Sequence, residues 1–285
     1  MTEPHSAGES DGGGARRAAA GSSYQRPEIT RAPITATVIG LAAGAFSSLF
    51  GVGGGLLMVP AMVYLLRVRP PRAHGTSLAV VLPTALAGVY RYSQAGNVEW
   101  GLVLPLALGG VLGALLGAAA VTALGAGALK RLSGVLVVVA GCVFIVVPGG
   151  SAQHAAPVGA GAGVGLIGLV GVTAGIVSGL LGVGGGIVMV PALVFLLGRD
   201  QHLAQGVSLA VIIPVSVSGA LIHARKGHVI PTLAFWLSVG AVIAASVVGA
   251  AVQRFSSESL RTLFGVFLVM MGVTMVARPL HRRIT

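Results

Sequence analysis

Charged residues are sparse in this chain, and the intervals between them set its elements. No charged residue occurs over the 35 positions from Ala32 to Leu66, or between Ala155 and Gly198. After each of these runs come three further apolar stretches, at about 75–92, 100–124 and 132–148, then at about 206–222, 230–251 and 262–277. Each is close to or within the range of roughly 17–25 residues that lets a helix cross a bilayer. A single helix over the first run would extend about 52 Å, against a hydrocarbon thickness of about 30 Å. The run must therefore break, and Gly51-Val52-Gly53-Gly54-Gly55 is the place.

The break predicts two arms. Residues 34–50 form one, about 25 Å long, and residues 56–66 the other, about 16 Å and too short to span. They make a helical hairpin whose ends lie on one side, whether its tip crosses fully or stops near the midplane. Adding 131 to each number gives the same text again: Gly182-Val183-Gly184-Gly185-Gly186 in place of the first cluster, with 14 of 20 positions identical between 47–66 and 178–197. The register continues through Gly75-Thr76-Ser77-Leu78-Ala79-Val80 and Pro83, matched by Gly206-Val207-Ser208-Leu209-Ala210-Val211 and Pro214. A repeat of this length means two copies of one structural unit.

Composition agrees with the pattern. The 285 residues are 55% hydrophobic and 9% charged, far below the roughly 25% charged of a soluble domain, so the fold class expected is an all-α polytopic membrane protein. The net charge of +11 does not indicate nucleic acid, because the basic residues sit in short segments between apolar spans. A hairpin plus three crossings is an odd number, so the copies are expected to be inverted: two inverted repeats of five helical segments, each opening with a Gly-broken helical hairpin. With the N-terminus inside, 14 of 18 Lys and Arg fall on the cytoplasmic side, against Arg199, Arg254 and Arg261 outside and Arg91 near the outer end of its span. Both termini are then cytoplasmic, in the inner cell membrane. The expected division is a disordered cytoplasmic tail at 1–31, a first repeat at 32–148, a linker at 149–157, a second repeat at 158–278 and a C-terminal tail at 279–285. The single cysteine, Cys142, lies in an apolar run and offers neither an intramolecular disulfide nor a cysteine metal cluster.

The glycine clusters fit no nucleotide fingerprint, since position 56 is Leu and no Lys-Ser/Thr follows. Two roles remain. Unwound glycine backbone and the N-termini of the helices starting near Leu56 and Ile187 can bind an anion without a charged side chain. Alternatively the glycines only let helices approach, as expected for Gly109-xxx-Gly113-xxx-Gly117 and Gly171-xxx-Gly175-xxx-Gly179. Pro60 and Pro191 sit early in the short helices, and Pro83 and Pro214 predict kinks beside Ser77 and Ser208, either functional or merely structural. Arg91 either snorkels outward or attracts an anion at a mouth. His74, His202, His223 and His228 stand at loop edges, and no carboxylate lies within a span. The usual intramembrane Asp or Glu for protons or sodium is missing, which disfavours cation transport.

Two GxGGG-xxxx-P hairpins, each followed by G-x-S-L-A-x-x-x-P, resemble the TauE/SafE sulfite exporter family of membrane permeases, over about 34–277. The resemblance implies transport of sulfite, sulfonates or related sulfur anions across the cytoplasmic membrane. Carried over by position, it implies substrate-binding residues at Gly53, Gly54, Gly55 and Ser77, with Gly184, Gly185, Gly186 and Ser208. His74 and Thr76 face Gln205 and Val207 at equivalent positions, so the halves are not chemically equal. The expectation is a secondary transporter for a small anion, without enzymatic activity, cofactor or metal. Its partners are the small anionic substrate and the lipid bilayer, without nucleic acid, and with homo-oligomer assembly left open. The alternatives are a membrane scaffold or assembly subunit with no transport path, or a permease for another small organic anion.

Overall fold

A computed structural model of the chain describes residues 32–120, most of 135–146, 163–181 and 185–277. The tails expected at 1–31 and 279–285, the linker at 149–157, and Lys130, Arg131 and Gly184 lie outside the described residues. Helix α1 (Ala32–Phe50) is followed by the short α2 (Gly55–Tyr64), then α3 (Pro70–Gln94) and α4 (Trp100–Ala120). A shorter helical stretch, Val137–Val146, precedes the second series. That series is α5 (Gly163–Leu181), short α6 (Gly186–Phe195), α7 (Gln201–Arg225), α8 (Pro231–Val252) and α9 (Ser257–Ala277). No strand occurs among the described residues, and five of the helices are long and apolar enough to cross a membrane. The protein is an all-α, multi-pass membrane protein.

The charge-free runs break where length requires it. α1 ends at Phe50 and α2 begins at Gly55, with Met58 and Met62 buried in one cluster with Ala36, Ile39 and Ala43 of α1. α2 therefore doubles back along α1. α3 starts at Pro70, five positions before the expected 75, because Pro70 and Pro71 occupy the first helical turn. Proline is favoured there, where its missing N–H would have no partner anyway.

Helix pairing crosses between the copies. α1 packs along α8 and α4 along α5, with α3 and α7 against each other in the middle. The outer pairs are parallel: Gly40 and then Gly44 meet the α8 backbone at Leu237 and then Ala241, and Gly240 meets Thr37 and Leu41 in return. Likewise Gly109, Gly113 and Gly117 advance along Gly168, Val172 and Ile176, while Gly171 and Gly175 face Leu106 and Gly110. At these contacts a Cβ would collide with backbone of the partner helix, so the small residues set the interaxial distance. The central pair is antiparallel, since Leu78 meets Gly219, Gly88 meets Leu209 and Tyr92 meets Gly206. α3 and α7 are equivalent helices in the repeat register, so the two equivalents run in opposite directions.

Polar bonds gather the loops at the two ends. Arg199 and Glu99 form an ion pair at 2.9 Å, the Asn97 amide donates to Gln253 Oε1 at 2.6 Å, and a ring nitrogen of His202 lies 3.0 Å from the Phe255 carbonyl. The loops after α3, α6 and α8 thus share one end. At the other, the Ile230 N–H donates to Thr76 Oγ1 at 3.0 Å, joining the start of α8 to the start of α3.

Candidate functional site

The described part of the second glycine cluster packs against the first. A Cβ on Gly186, the first residue of α6, would stand 2.6 Å from both the Gly51 carbonyl oxygen and the Val52 Cα. No residue but glycine permits that approach. Gly53 lies between Val81 of α3 and Ile212 of α7, themselves equivalent in the repeat. Gly51 to Gly55, Gly185, Gly186, Ser77 and Ser208 are all buried.

The two short helices start in the same way. Gly54 caps α2 at φ 72° and Gly185 caps α6 at φ 81°, left-handed conformations that side chains resist. Both caps are glycine and so offer no side-chain oxygen to the first-turn N–H groups, and no other side chain accepts from them among the described residues. The positive ends of both helices therefore face the glycine breaks without a polar cap.

The opposing helix end is treated differently. α1 finishes on carbonyls that would project partial negative charge into the same region. The Gly51 N–H donates to Ser47 O at 2.8 Å, and the Gln205 side-chain amide donates to Leu49 O at 2.9 Å. Ser208 Oγ donates to Gly51 O at 2.8 Å. The Tyr92 hydroxyl sits 2.8 Å from Ser48 O and 2.7 Å from Gln205 Oε1, sharing its proton between them. Ser48 Oγ in turn donates to Ala245 O of α8 at 3.0 Å. Donors from α3 and α7 thus satisfy the carbonyls at this negative helix end.

Two buried hydroxyls complete the region. Ser77 Oγ on α3 and Ser47 Oγ on α1 have no hydrogen-bond partner among the described residues. A Cβ on Gly54 would lie 3.4 Å from Ser47 Cβ, so this serine borders the uncapped start of α2. A buried polar atom without a partner costs about 1–3 kcal/mol, and a ligand offering a hydrogen bond would remove that cost.

Of the residues singled out in the sequence, Gly186 and Ser208 are brought against the first glycine tip, and Gly54, Gly55 and Gly185 form the uncapped helix starts. Gly53 is enclosed by apolar side chains. Ser77 is buried but makes no bond to the tips. Pro60 and Pro191 lie inside α2 and α6, and Pro83 and Pro214 inside α3 and α7. Just past those two prolines, Thr84 donates to Val80 O at 2.8 Å and Ser216 to Ile213 O at 2.9 Å, stitching the disturbed turns. Arg91 packs its stem near Gly249 of α8 and holds its guanidinium 5.9 Å from the Tyr90 ring. Ser47, Tyr92 and Gln205 are site residues that sequence reasoning missed. The identity of Ser47 with Ser178 in the repeat register was the available signal for the first, the departure of Gln205 from His74 marked that position but not its role, and Tyr92 carried no sign of its buried partners.

A family model described as sulfite exporter TauE/SafE matches residues 36–275. The chain is also similar to the probable membrane transporter protein YunE of Bacillus subtilis (strain 168), at 26% identity over 84% of this chain and 95% of that one. A probable membrane transporter protein of Xylella fastidiosa (strain 9a5c) is 29% identical over 85% of this chain and 92% of its own length. The probable membrane transporter protein MJ0441 of Methanocaldococcus jannaschii is 26% identical over 84% and 93%. No solved structure matches the chain. With the family model covering most of the chain and both glycine hairpins within it, the protein belongs to the sulfite exporter TauE/SafE family of membrane transporters.

Proposed function

We propose that this transporter moves a small anion, of the sulfur oxyanion class, through the region between the two glycine tips. The observation that carries this reading is the unequal treatment of helix ends: α1's carbonyls are capped by Tyr92, Gln205 and Ser208, while α2 and α6 begin on glycine without a side-chain cap. N–H groups and helix dipoles bind an anion without a buried counter-charge to desolvate. Ser47 and Ser77 supply hydroxyl donors with no competing partner among the described residues. Gly53, Gly54, Gly55, Gly185, Gly186 and Ser208 frame the site, and Gly184 is assigned to it by the repeat register.

The antiparallel crossing of α3 and α7 supports inverted copies, the arrangement that lets one site face each side in turn. In the proposed orientation the end bearing Arg67, Arg69, Arg72, Arg225 and Lys226 is cytoplasmic, in the inner cell membrane. Export of an anion then follows the inside-negative potential, which supplies about 2.3 kcal/mol per charge per 100 mV. The chain needs no enzymatic step or cofactor for this.

Proteoliposomes loaded with labelled sulfite or sulfoacetate test the reading. Efflux that responds to an imposed potential is the expected result, and no flux of either anion under either polarity overturns it.

A further inference from the structure

The repeat register pairs three residues at one end of the α3–α7 crossing with three at the other. Tyr92, Gln205 and Asn97 become His223, His74 and His228 when 131 is added or subtracted. The backbone frame is the same at both ends. Asn97 N–H donates to Tyr92 O at 2.8 Å, and His228 N–H donates to His223 O at 2.9 Å. Gly206 faces the Asn97 carbonyl with its Cβ position 3.2 Å from Tyr92 Cβ, and Gly75 faces the His228 carbonyl with its own 3.0 Å from His223 Cβ. Only the side-chain chemistry differs. At one end it is neutral, with the Tyr92 hydroxyl on Gln205 and Asn97 on Gln253. At the other it is three imidazoles, with the His223 and His228 rings 5.7 Å apart.

The charged or titratable groups acting on His223 are His74 from α3 and Lys226 and His228 from the turn after its own helix. α1, α2 and α8 carry no charged residue. No acidic side chain among the described residues pairs with His223 or His228, and their Nδ1 atoms are buried without a hydrogen-bond partner among those residues. Among those residues no three His, Cys, Asp or Glu side chains converge as metal ligands. Imidazoles that become all-donor on protonation, a lysine neighbour and no carboxylate among the described residues around His223 make this a place for an anion. Imidazole titrates near pH 6.5 when unperturbed, and a second or third charge here is stable only when a negative group joins it. Proton uptake and anion binding are then linked, each strengthening the other.

We propose that His74, His223 and His228 form a proton-dependent binding site for a small oxyanion at the Arg- and Lys-rich end of the α3–α7 pair. It is separate from the glycine tips, and it rests on the reading of this chain as an anion transporter. An anion that binds at that end takes up a proton there and releases it on leaving the histidines, whereas the neutral end imposes no such requirement.

Calorimetric titration of the full-length protein in detergent with methanesulfonate, whose charge is constant between pH 6 and 8, tests this. Native protein is expected to bind about tenfold more tightly at pH 6 than at pH 8, with a heat that varies with buffer ionisation enthalpy. The triple substitution His74→Gln, His223→Tyr and His228→Asn, which copies the opposite end, removes both effects. The single substitution His228→Asn weakens them if the triple variant fails to fold, and His202→Gln leaves them intact. Affinity independent of pH in native protein, or undiminished proton uptake in the His74/His223/His228 variants, overturns the histidine site alone. No binding at either pH overturns it together with the transport reading.

Discussion

Ser208 on α7 donates its hydroxyl to the carbonyl of Gly51 at 2.8 Å, tying a helix of the second copy to the tip of the first. Its equivalent, Ser77, is buried just as deeply with no hydrogen-bond partner among the described residues. One serine therefore holds structure, and the other is the hydroxyl that the proposed site would offer to an anion.

This difference predicts opposite outcomes for the same substitution. Ser208→Ala strands a buried carbonyl and is expected to cost about 1–3 kcal/mol, read as a lower Tm. Ser77→Ala removes no bond and is expected to change stability by less than about 0.5 kcal/mol while reducing flux. Unimpaired flux in Ser77→Ala would take this serine out of the site.

Tyr92→Phe removes the only hydroxyl reaching Ser48 O and Gln205 Oε1 among the described residues. Both acceptors are left in a buried place, so a loss of about 1–3 kcal/mol is expected. Thermal denaturation of the purified protein would measure it, and a Tm equal to that of native protein would show that the latch contributes nothing.

The parallel helix pairs depend on glycine for a steric reason. Gly113→Leu would drive a side chain into the Val172 carbonyl, and the protein should no longer elute as a single folded species on gel filtration. Gly101, with open space around it, should accept Leu without loss.

Sidedness can be read with thiol labelling after the exposed Cys142 is replaced by Ala. A cysteine at Lys226 should react only from the cytoplasmic side and one at Gln94 only from the outside. Labelling of both from one side would contradict the antiparallel crossing itself.

The ion pair between Arg199 and Glu99 is partly solvated on both partners. Arg199→Ala is accordingly expected to cost less than about 1 kcal/mol, with transport preserved. A larger loss would mean that this contact holds the outer loops together.

Much of this architecture was legible because its signals are local. Thirty-five positions without charge force a break wherever glycine clusters, and α1 and α2 separate at Gly51–Gly55 accordingly. The glycine ladders at Gly109, Gly113 and Gly117 and at Gly171 and Gly175 are packing faces for the same reason, while the surroundings of Gly179 lie outside the described residues. The polar lining was not legible. Tyr92 reaches a carbonyl 44 positions away and a side chain 113 away, and no periodicity announces such a partner. The histidines each read as a residue at a loop edge. Only the antiparallel crossing of α3 and α7 turns three of them into one group.

The crossed pairing of α1 with α8 has a consequence for biosynthesis. Ser48 and the Ala245 carbonyl it bonds are 197 residues apart. At about 5–20 residues per second, a ribosome needs roughly 10–40 s to deliver the second after the first. Throughout that interval the glycine face of α1 waits in the bilayer without its partner helix. The first copy therefore cannot finish folding before most of the second has been made.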